Sequence, residues 1–317
     1  MRLHGAPVAA AMLADALLGE LPLAVHPVVL MGRAISAFEG WALALKGAGQ
    51  QRLAGSFLAA ALPTLSFVLT SLILRLSPPV VRWLLEVGLL STALSMRGLA
   101  RAALAIEREL EGGNLEAARA RVGEIVGRDT ERISPNEVAR AAVESVAENT
   151  SDGAVAPMLY GLFFGAPGAM AYKAVNTLDS MVGHPQPPHA DLGWASARLD
   201  DLANLLPARL TVLLAAVSGE GGFAGVVATL TSACRYGPLT RSPNAGWAEA
   251  AFAGSLDLRL GGASSYGGVI RKGPTLGDGR PPEAADIRRA VRLMRRACLL
   301  LAALALVAAL PRGGSGD

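Results

Sequence analysis

Uncharged segments alternate with polar, arginine-rich stretches along this chain, and the alternation predicts helices that cross a membrane. The clearest uncharged segment, Leu53 to Leu74, is 22 residues long and lies between Arg52 and Arg75. A helix needs about 20 apolar residues to cross a bilayer, so this segment is long enough. Shorter apolar segments bring the predicted number of spans to six, and they lie at 6–19, 80–96, 202–219 and 297–311 and in a segment that ends at Cys234. The predicted fold class is an all-α polytopic membrane bundle.

The segment Ala154 to Tyr172 carries no charge over 19 residues, but prolines and glycines interrupt it at 157, 161, 165, 167 and 168. We expect an Asp-Gly turn at Asp152 and Gly153, followed by a broken, re-entrant hairpin. Such a hairpin would return both of its polar ends to one face, and it is tolerated at membrane depth where it lines a protein cavity.

Composition supports a membrane protein that forms one integral domain over 1–317. The chain is 52% hydrophobic and 17% charged, with a mean hydropathy of +0.39, whereas soluble proteins average about 25% charged residues. The net charge of +3 is small and the basic residues are scattered. We therefore expect contact with membrane lipid and no nucleic-acid binding. Cys234 and Cys298 lie in apolar segments, which predicts two buried thiols and no disulfide.

The distribution of basic residues predicts the orientation. If 20–52, 96–150, 173–209 and 235–296 are cytoplasmic, they contain 25 of the 29 Lys and Arg, as the positive-inside rule expects. This assignment places the N-terminus outside and requires 154–172 to return to its own side. Two cytoplasmic regions stand out, a helical insertion at 97–150 and a polar loop region at 236–296.

Ser134-Pro135-Asn136-Glu137 predicts a helix start. Ser134 is expected to cap the helix, Pro135 suits its first turn, and Glu137 completes a capping box. On the helix that follows, Glu137, Arg140, Glu144 and Glu148 are spaced to share one face. This polar stripe leads to Asp152.

Four clusters of acidic, amide and basic side chains flank the apolar segments on the predicted cytoplasmic side. They are Glu144/Glu148/Asn149/Asp152, Lys173/Asn176/Asp179, Asp200/Asp201/Asn204 and Arg241/Ser242/Asn244. The oxygen ligands of the first and third clusters suit Mg²⁺. For any single carboxylate, the alternative is a solvated or ion-paired helix face.

Two of these clusters also suggest anion binding. Lys173 follows an uncharged segment and shares a helix face with Asn176, which suits a phosphate or carboxylate clamp; the alternative is an interfacial anchor. Arg241 precedes an expected helix start at Ser242, where free backbone amides and an arginine would bind an anion. Capping alone is the alternative there.

Two further patterns carry weaker indications. The glycine-rich stretch 261–268, which contains Tyr266, could wrap a phosphate with its amides, but neither GxxxxGK[ST] nor GxGxxG occurs in the chain. His184, His189 and Asp191 have the composition of a metal cluster. The prolines among them favour a plain loop.

Several motifs then occur in an order that is typical of one family. They are GRDT at 127–130, ESVAENTSDG at 144–153, YKAVNTLDSMVGH at 172–184, GWASARLDDLANLLPARLT at 193–211, RSPNAGW at 241–247 and LGG…YGG at 260–268, preceded by Asp15, Gly19, Pro22 and His26-Pro27. Together they closely resemble adenosylcobinamide-phosphate synthase, the CbiB/CobD-type membrane protein of cobalamin biosynthesis. The resemblance covers nearly the whole chain.

The resemblance implies an ATP-dependent amide ligase. Such an enzyme joins adenosylcobyric acid to aminopropanol phosphate, or to aminopropanol, with Mg²⁺ as cofactor and ATP as co-substrate. It implies a multi-pass protein of the cell inner membrane with a cytoplasmic active site. A second copy of the chain and other cobalamin-pathway enzymes are the candidate protein partners.

Roles can be assigned to the matching residues as hypotheses. Glu144 or Asp179 is the candidate base, and Lys173 the candidate catalytic cation. The candidate magnesium ligands are Glu148, Asp152, Asp200 and Asp201. The candidates for binding phosphates or orienting substrates are Lys173, Arg198, Arg241, Ser242, Tyr266, Asn149, Asn176, Asn204 and Asn244.

The chain departs from the family pattern at two places: Thr240 stands where the family usually has histidine, and the loop after Gly183 is rich in proline.

Two other functions stay open at this point. A secondary transporter would also show a broken helix with intramembrane polar groups, although near mid-bilayer. A corrinoid-binding scaffold without catalysis is the other.

Overall fold

A computed structural model describes residues 3–18, 26–184 and 186–310 of the chain. Gly19 and Pro22 of the N-terminal motif lie outside the described residues. The chain divides into two compact units. Unit 1 contains residues 1–94, 156–203 and 301–317, and unit 2 contains residues 95–155 and 204–300.

Nearly all elements are helices. Those of unit 1 are α1 (Gly5–Leu18), α2 (Pro27–Leu43), α3 (Ala48–Leu76), α4 (Pro79–Ala93), α8 (Ala156–Val182) and α9 (Trp194–Ala203). Those of unit 2 are α5 (Met96–Glu111), α6 (Leu115–Gly123), α7 (Pro135–Thr150), α10 (Leu205–Ser218), α11 (Gly222–Tyr236) and α12 (Ala245–Leu256). The last helix, α13 (Ala284–Ala309), begins in unit 2 and ends in unit 1.

Among the described residues, three helices are long and apolar enough to cross a membrane: Ala48–Leu76, Pro79–Glu111 and Pro135–Val182. The bent pair α9 and α10 would make a fourth. The prediction of six spans is thus not confirmed. Within the described residues, α1 has 14 residues and α11 has 15, which is roughly 21–23 Å of helix against a hydrocarbon core of about 30 Å.

The α3 helix has the character of a lipid-facing span. Large apolar side chains along it, such as Leu53, Phe57 and Leu76, are exposed. Its other side packs against α8 and α9. Gly55 permits this approach, because a Cβ there would lie 1.8 Å from the carbonyl oxygen of Leu192.

The chain folds back within α8, at Gly165. This residue has φ 67° and ψ −164°, outside the helical region, and Pro167 follows it. The rings of Tyr160 and Tyr172 stack with their centroids 5.0 Å apart, although 12 residues of straight helix would separate them by about 18 Å. The chain is therefore broken and folds back within the predicted hairpin 154–172, while its return to one membrane face stays a prediction.

The start of α7 is as predicted. Ser134 accepts a hydrogen bond from the Glu137 amide, and the Glu137 carboxylate accepts one from the Ser134 amide. The predicted Asp-Gly turn at its other end is wrong. Residues Ser151–Val155 form a π-helical turn instead, so the chain passes through Asp152 and Gly153 in helical conformation.

The prediction of an all-α fold needs one correction, because Leu260–Tyr266 (β1) and Val269–Leu276 (β2) form an antiparallel hairpin. Tyr266 pairs with Val269, which leaves Gly267 and Gly268 as a two-residue loop. Both have positive φ, 57° and 78°, as a tight type I′ turn requires.

The hairpin tip is held by Asp129 of the GRDT motif. The Asp129 carboxylate accepts hydrogen bonds from the Ser265 hydroxyl at 2.6 Å and from the Gly267 and Gly268 amides at 2.9 and 2.8 Å. The predicted phosphate loop therefore already has an anion on its amides. These hydrogen bonds hold the pKa of Asp129 below its ordinary value.

A buried carboxylate fixes the start of α13. Asp286 is fully buried and accepts two hydrogen bonds from Arg280, at 2.7 and 2.9 Å, one from Arg289 at 2.8 Å and one from the Glu283 amide at 2.8 Å. Burial acts to raise the pKa of Asp286, but the hydrogen bonds from Arg280, Glu283 and Arg289 outweigh it and lower the pKa below 3.8.

The prediction that both cysteines are buried is confirmed for only one of them. Both are free thiols, but Cys298 is buried and Cys234 is exposed. The prediction that Cys234 is buried is therefore wrong. Its apolar neighbours along the chain did not show that it lies on the outward side of α11.

We expect Asp286→Asn to lower the free energy of unfolding by about 2–3 kcal/mol, because it leaves two guanidinium groups beside a buried neutral amide. Asp278→Asn is the matched control, since Asp278 pairs with Arg235 at an exposed site where ion pairs contribute at most about 1 kcal/mol. Thermal unfolding of the detergent-purified protein measures both. Since the folded pKa is lowered, the stabilisation is present above pH 3.8 and is lost as the pH falls through the folded value. Equal stability of the two variants at pH 7 would refute the assignment.

We expect Asp129→Ala to increase amide hydrogen exchange across Leu260–Leu276, because the hairpin tip loses its acceptor. Asp129→Asn, which keeps one oxygen, should have a smaller effect, and the neighbouring exposed Glu131→Gln none. Because the folded pKa of Asp129 is lowered, the wild-type protection is lost only as the pH falls below the ordinary value of 3.8. Unchanged exchange in Asp129→Ala would show that the tip is held by other contacts.

Candidate functional site

The centre of unit 2 is a buried ion pair between Glu144 and Arg128. Their side chains are 11% and 9% exposed and lie 2.6 Å apart. The second oxygen of Glu144 accepts a hydrogen bond from the Gly261 amide at 2.7 Å and lies 3.7 Å from Arg140. Both oxygens are thus engaged, so this candidate base has little freedom to accept a proton from a substrate.

The two arginines also hold the hairpin. Arg128 donates to the Ser264 hydroxyl at 2.8 Å. Arg140 donates to the carbonyl oxygens of Gly261 and Ala263. The polar face of α7 is therefore partly a structural contact with strand β1.

Glu249 is a carboxylate that the sequence analysis missed. It lies on α12, which packs against α7, and it interacts electrostatically with Glu144 and Glu148. Burial, and then the charges of these two glutamates, raise the pKa of Glu249 well above its ordinary value. Its position could have drawn attention, because it is the only charged residue between Ala245 and Leu256 and follows RSPNAGW by one residue.

The end of α7 carries the remaining members of the first predicted cluster. Glu148 is exposed, which leaves it accessible to a ligand. The Asn149 side chain donates to the Ser145 carbonyl at 2.9 Å. Asp152 lies in the π-helical turn, which packs against α10, and turns of this kind are frequent at functional sites.

Two predicted asparagines are buried in unit 2. Asn204 is 0% exposed and Asn244 is 5% exposed. Arg209 donates to the Asn244 side-chain oxygen at 2.8 Å and lies over the Trp247 ring, 4.6 Å from its centroid. Arg209 therefore orients Asn244 through a contact that spacing could not reveal.

The start of α12 differs from the predicted anion site. The Ser242 hydroxyl accepts hydrogen bonds from the Asn244 and Ala245 amides, both at 3.2 Å. Those amides are satisfied by capping, and Arg241 is exposed. Thr240 donates to the Ser242 carbonyl at 2.8 Å, so it helps to shape this loop.

Unit 1 contains the other predicted residues. Lys173 donates to the Asn176 side chain at 3.4 Å. Asp179 interacts electrostatically with Asp201 and His184, and Arg198 lies 3.6 Å from Asp201. The second and third predicted clusters, apart from Asn204, therefore come together here.

Tyr160 extends this cluster. Its hydroxyl donates to the Ala203 carbonyl at 3.0 Å and interacts electrostatically with Asp200. No predicted role included Tyr160, because it lies inside the uncharged segment. The fold-back at Gly165 places it beside Tyr172, which precedes Lys173.

Within the described ranges 3–18, 26–184 and 186–310, no group of three or more His, Cys, Asp or Glu is arranged to hold a metal ion. His189 bonds to Glu39 at 2.6 Å and Asp191 lies 3.6 Å from Arg52, so the histidine loop has ionic contacts of its own. Tyr266 is 42% exposed and stacks on Arg271.

The family model and the similar proteins indicate the same family. The family model described as CobD/CbiB protein matches residues 8–294. The cobalamin biosynthesis protein CobD of Klebsiella pneumoniae is 40% identical over 299 residues, which cover 93% of this chain and 94% of that protein. The proteins of the same name from Chromobacterium violaceum and Brucella melitensis are 43% and 41% identical, with 95% of each chain covered. No solved structure matches the chain. On this evidence, the chain belongs to the CobD/CbiB family.

Proposed function

We propose that this protein acts in cobalamin biosynthesis as an ATP-dependent ligase, joining the propionate carboxylate of adenosylcobyric acid to aminopropanol phosphate or aminopropanol. Family membership over nearly the whole chain supports the pathway. The observation that carries the chemistry is a set of acidic and amide side chains among apolar helices, with Asn204 and Asn244 almost fully buried.

The proposed amide formation has two steps. A carboxylate oxygen attacks the γ-phosphorus of ATP, the bond to the β–γ bridging oxygen breaks, and ADP leaves. The amine nitrogen then attacks the acyl carbon of the acyl phosphate and inorganic phosphate leaves. The attacking amine must first lose a proton from its ammonium form, because only the free amine is nucleophilic.

We propose Asp179 as the base, in preference to Glu144. Both oxygens of Glu144 are engaged with Arg128 and the Gly261 amide. Asp179 lies on α8 after Lys173 and Asn176, with Asp201 and His184 close enough to act on it electrostatically. In this proposal Lys173 binds a phosphate. Glu144 positions strand β1 and does not act as the base.

For magnesium we propose Glu148 and Asp152 in unit 2 and Asp200 and Asp201 in unit 1. Each of these pairs could supply the one or two carboxylates that Mg²⁺ takes before phosphate oxygens and water complete its shell. Mg²⁺ would neutralise charge on the transferring phosphate. Arg198 and Arg241 are both exposed and are proposed to contact phosphate.

The concentration of basic residues in the predicted inner segments supports a location in the cell inner membrane with the chemistry on the cytoplasmic side, where ATP is available. The direct test incubates detergent-purified protein with adenosylcobyric acid, aminopropanol phosphate, ATP and Mg²⁺. Mass spectrometry should show ADP and the amide product in equal amounts. Binding of the corrinoid without ADP formation would favour a scaffold instead.

We expect Asp179→Asn to lower kcat by about 100-fold or more, in the range found for loss of a general base, while the KM for ATP stays near the wild-type value. The acidic limb of the pH–rate profile should also flatten. Ser180→Ala is the control, because its exposed hydroxyl only returns to the Asn176 carbonyl. Asp179→Asn with wild-type turnover and an unchanged pH profile would exclude the assignment.

We expect Glu148→Gln to raise the Mg²⁺ concentration needed for half-maximal rate by about tenfold, the effect of losing roughly 1.4 kcal/mol of binding free energy. Glu124→Gln changes the same functional group at an exposed position after α6 and should leave the Mg²⁺ dependence unchanged. Titration of Mg²⁺ at saturating ATP makes the measurement. If both variants respond alike, Glu148 is not a ligand.

A further inference from the structure

A cleft of about 750 Å³ lies in unit 2, lined in part by Arg128 and Asp129 of the GRDT motif and by residues of the glycine-rich stretch 261–268. One wall is formed by the loop from Arg128 to Ile133, and another by the β-hairpin, through Ser264 and Ile270. The first turns of α7 contribute Arg140. The volume is in the upper part of the range of small-molecule sites, about 300–1,000 Å³, so the cleft suits a bulky ligand.

Both walls are fixed by hydrogen bonds. Arg119 donates to the Ile133 carbonyl at 2.9 Å and so supports the loop. Asp129 holds the hairpin tip, and Arg128 and Arg140 hold strand β1. The cleft is therefore a preformed feature, which lowers the entropy lost when a ligand binds.

The charges lining the cleft cancel. Three arginines line it (128, 132 and 140) together with three acidic residues (129, 131 and 137). Most of them have structural partners, since Arg128 pairs with Glu144 and Glu137 caps α7. Among the described residues, only Arg132 and Glu131 of this set have neither an ion pair nor a hydrogen bond, and their charges are opposite.

This balance argues against a polyphosphate ligand, which needs an excess of positive charge. A cleft that offers free donors, free acceptors and hydroxyls around an apolar surface fits neutral amides, which both donate and accept. Ile270 supplies such a surface, because it lines the cleft and is 72% exposed. A corrinoid acid combines a large flat ring with a rim of amide side chains, so it has the matching chemistry.

We propose that this cleft binds the amide-bearing rim of the corrinoid substrate, an inference that rests on the proposed function. Arg132 and Glu131 bind the amides, and Ile270 packs against the ring. The cleft and Glu148 lie along one face of α7, and Arg140 is two turns from Glu148, or about 12 Å. A corrinoid held here has its carboxyl arm directed along the helix that carries the proposed magnesium ligand.

The experiment measures the binding of adenosylcobyric acid to the full-length detergent-purified protein by equilibrium dialysis, alongside steady-state kinetics. Arg132→Ala and Ile270→Ala are the test variants, and both positions are exposed enough to leave folding intact. Arg101→Ala and Val269→Ala are the matched controls, since they remove an exposed arginine and an exposed apolar side chain that do not line the cleft.

We expect the test variants to raise the Kd and KM for the corrinoid about tenfold, as the loss of a hydrogen bond or an apolar contact does, with the KM for ATP unchanged. The controls should match wild type. A wild-type corrinoid Kd in both test variants overturns the inference, and so does a rise in the KM for ATP alone, which would make the cleft a nucleotide site. If wild-type protein forms no amide but the test variants still weaken corrinoid binding, the proposed reaction fails while the cleft assignment stands.

Discussion

The buried ion pair of Glu144 with Arg128 is the contact on which the architecture of unit 2 depends. It joins the GRDT loop to α7, and through the Gly261 amide it joins both to the hairpin. With both side chains at most 11% exposed, removing either partner would leave an uncompensated charge in a poorly solvated place. A buried ion pair of this kind is better explained as a contact that selects one arrangement of the loop, α7 and the hairpin than as a source of net stability.

This contact separates the carboxylates of the chain into two kinds. Glu144, Asp129 and Asp286 have their oxygens engaged by arginines, amides or a hydroxyl, and they hold elements in place. Glu148 is exposed and Glu249 is partly buried beside other acids. Carboxylates of the second kind are candidates for binding ligands or protons, because one is exposed to solvent and the other has a raised pKa. Residue type alone does not distinguish the two kinds.

The sequence allowed part of this to be predicted. The capping box at Ser134 follows from local chemistry, and the fold-back at Gly165 follows from glycine and proline inside an apolar run. The hairpin could also have been recognised, because Gly267-Gly268 between two possible strands favours a two-residue turn. It was missed because the glycines upstream resemble a phosphate loop.

The rest depends on contacts between residues far apart in the chain. Nothing near Arg128 indicates that it bonds to Ser264, 136 positions later, and nothing near Arg209 indicates its contact with Asn244. Periodicity also overestimated the spans, because apolar helices of 14 and 15 residues were counted with one of 29. Spacing predicts which side chains share a face, but it does not show what that face contacts.

The stripe on α7 shows why the structural and chemical groups are neighbours. Glu137 caps the helix, Arg140 and Glu144 bind the hairpin, and Glu148 follows one turn later, about 6 Å along the axis. A helix anchored at its start and again at Glu144 has little freedom at Glu148, and a metal or substrate ligand must be held in place before it binds. The fixed part of the stripe therefore provides the rigidity that the exposed part requires, and this is a reason for a buried ion pair to lie one turn from a proposed magnesium ligand.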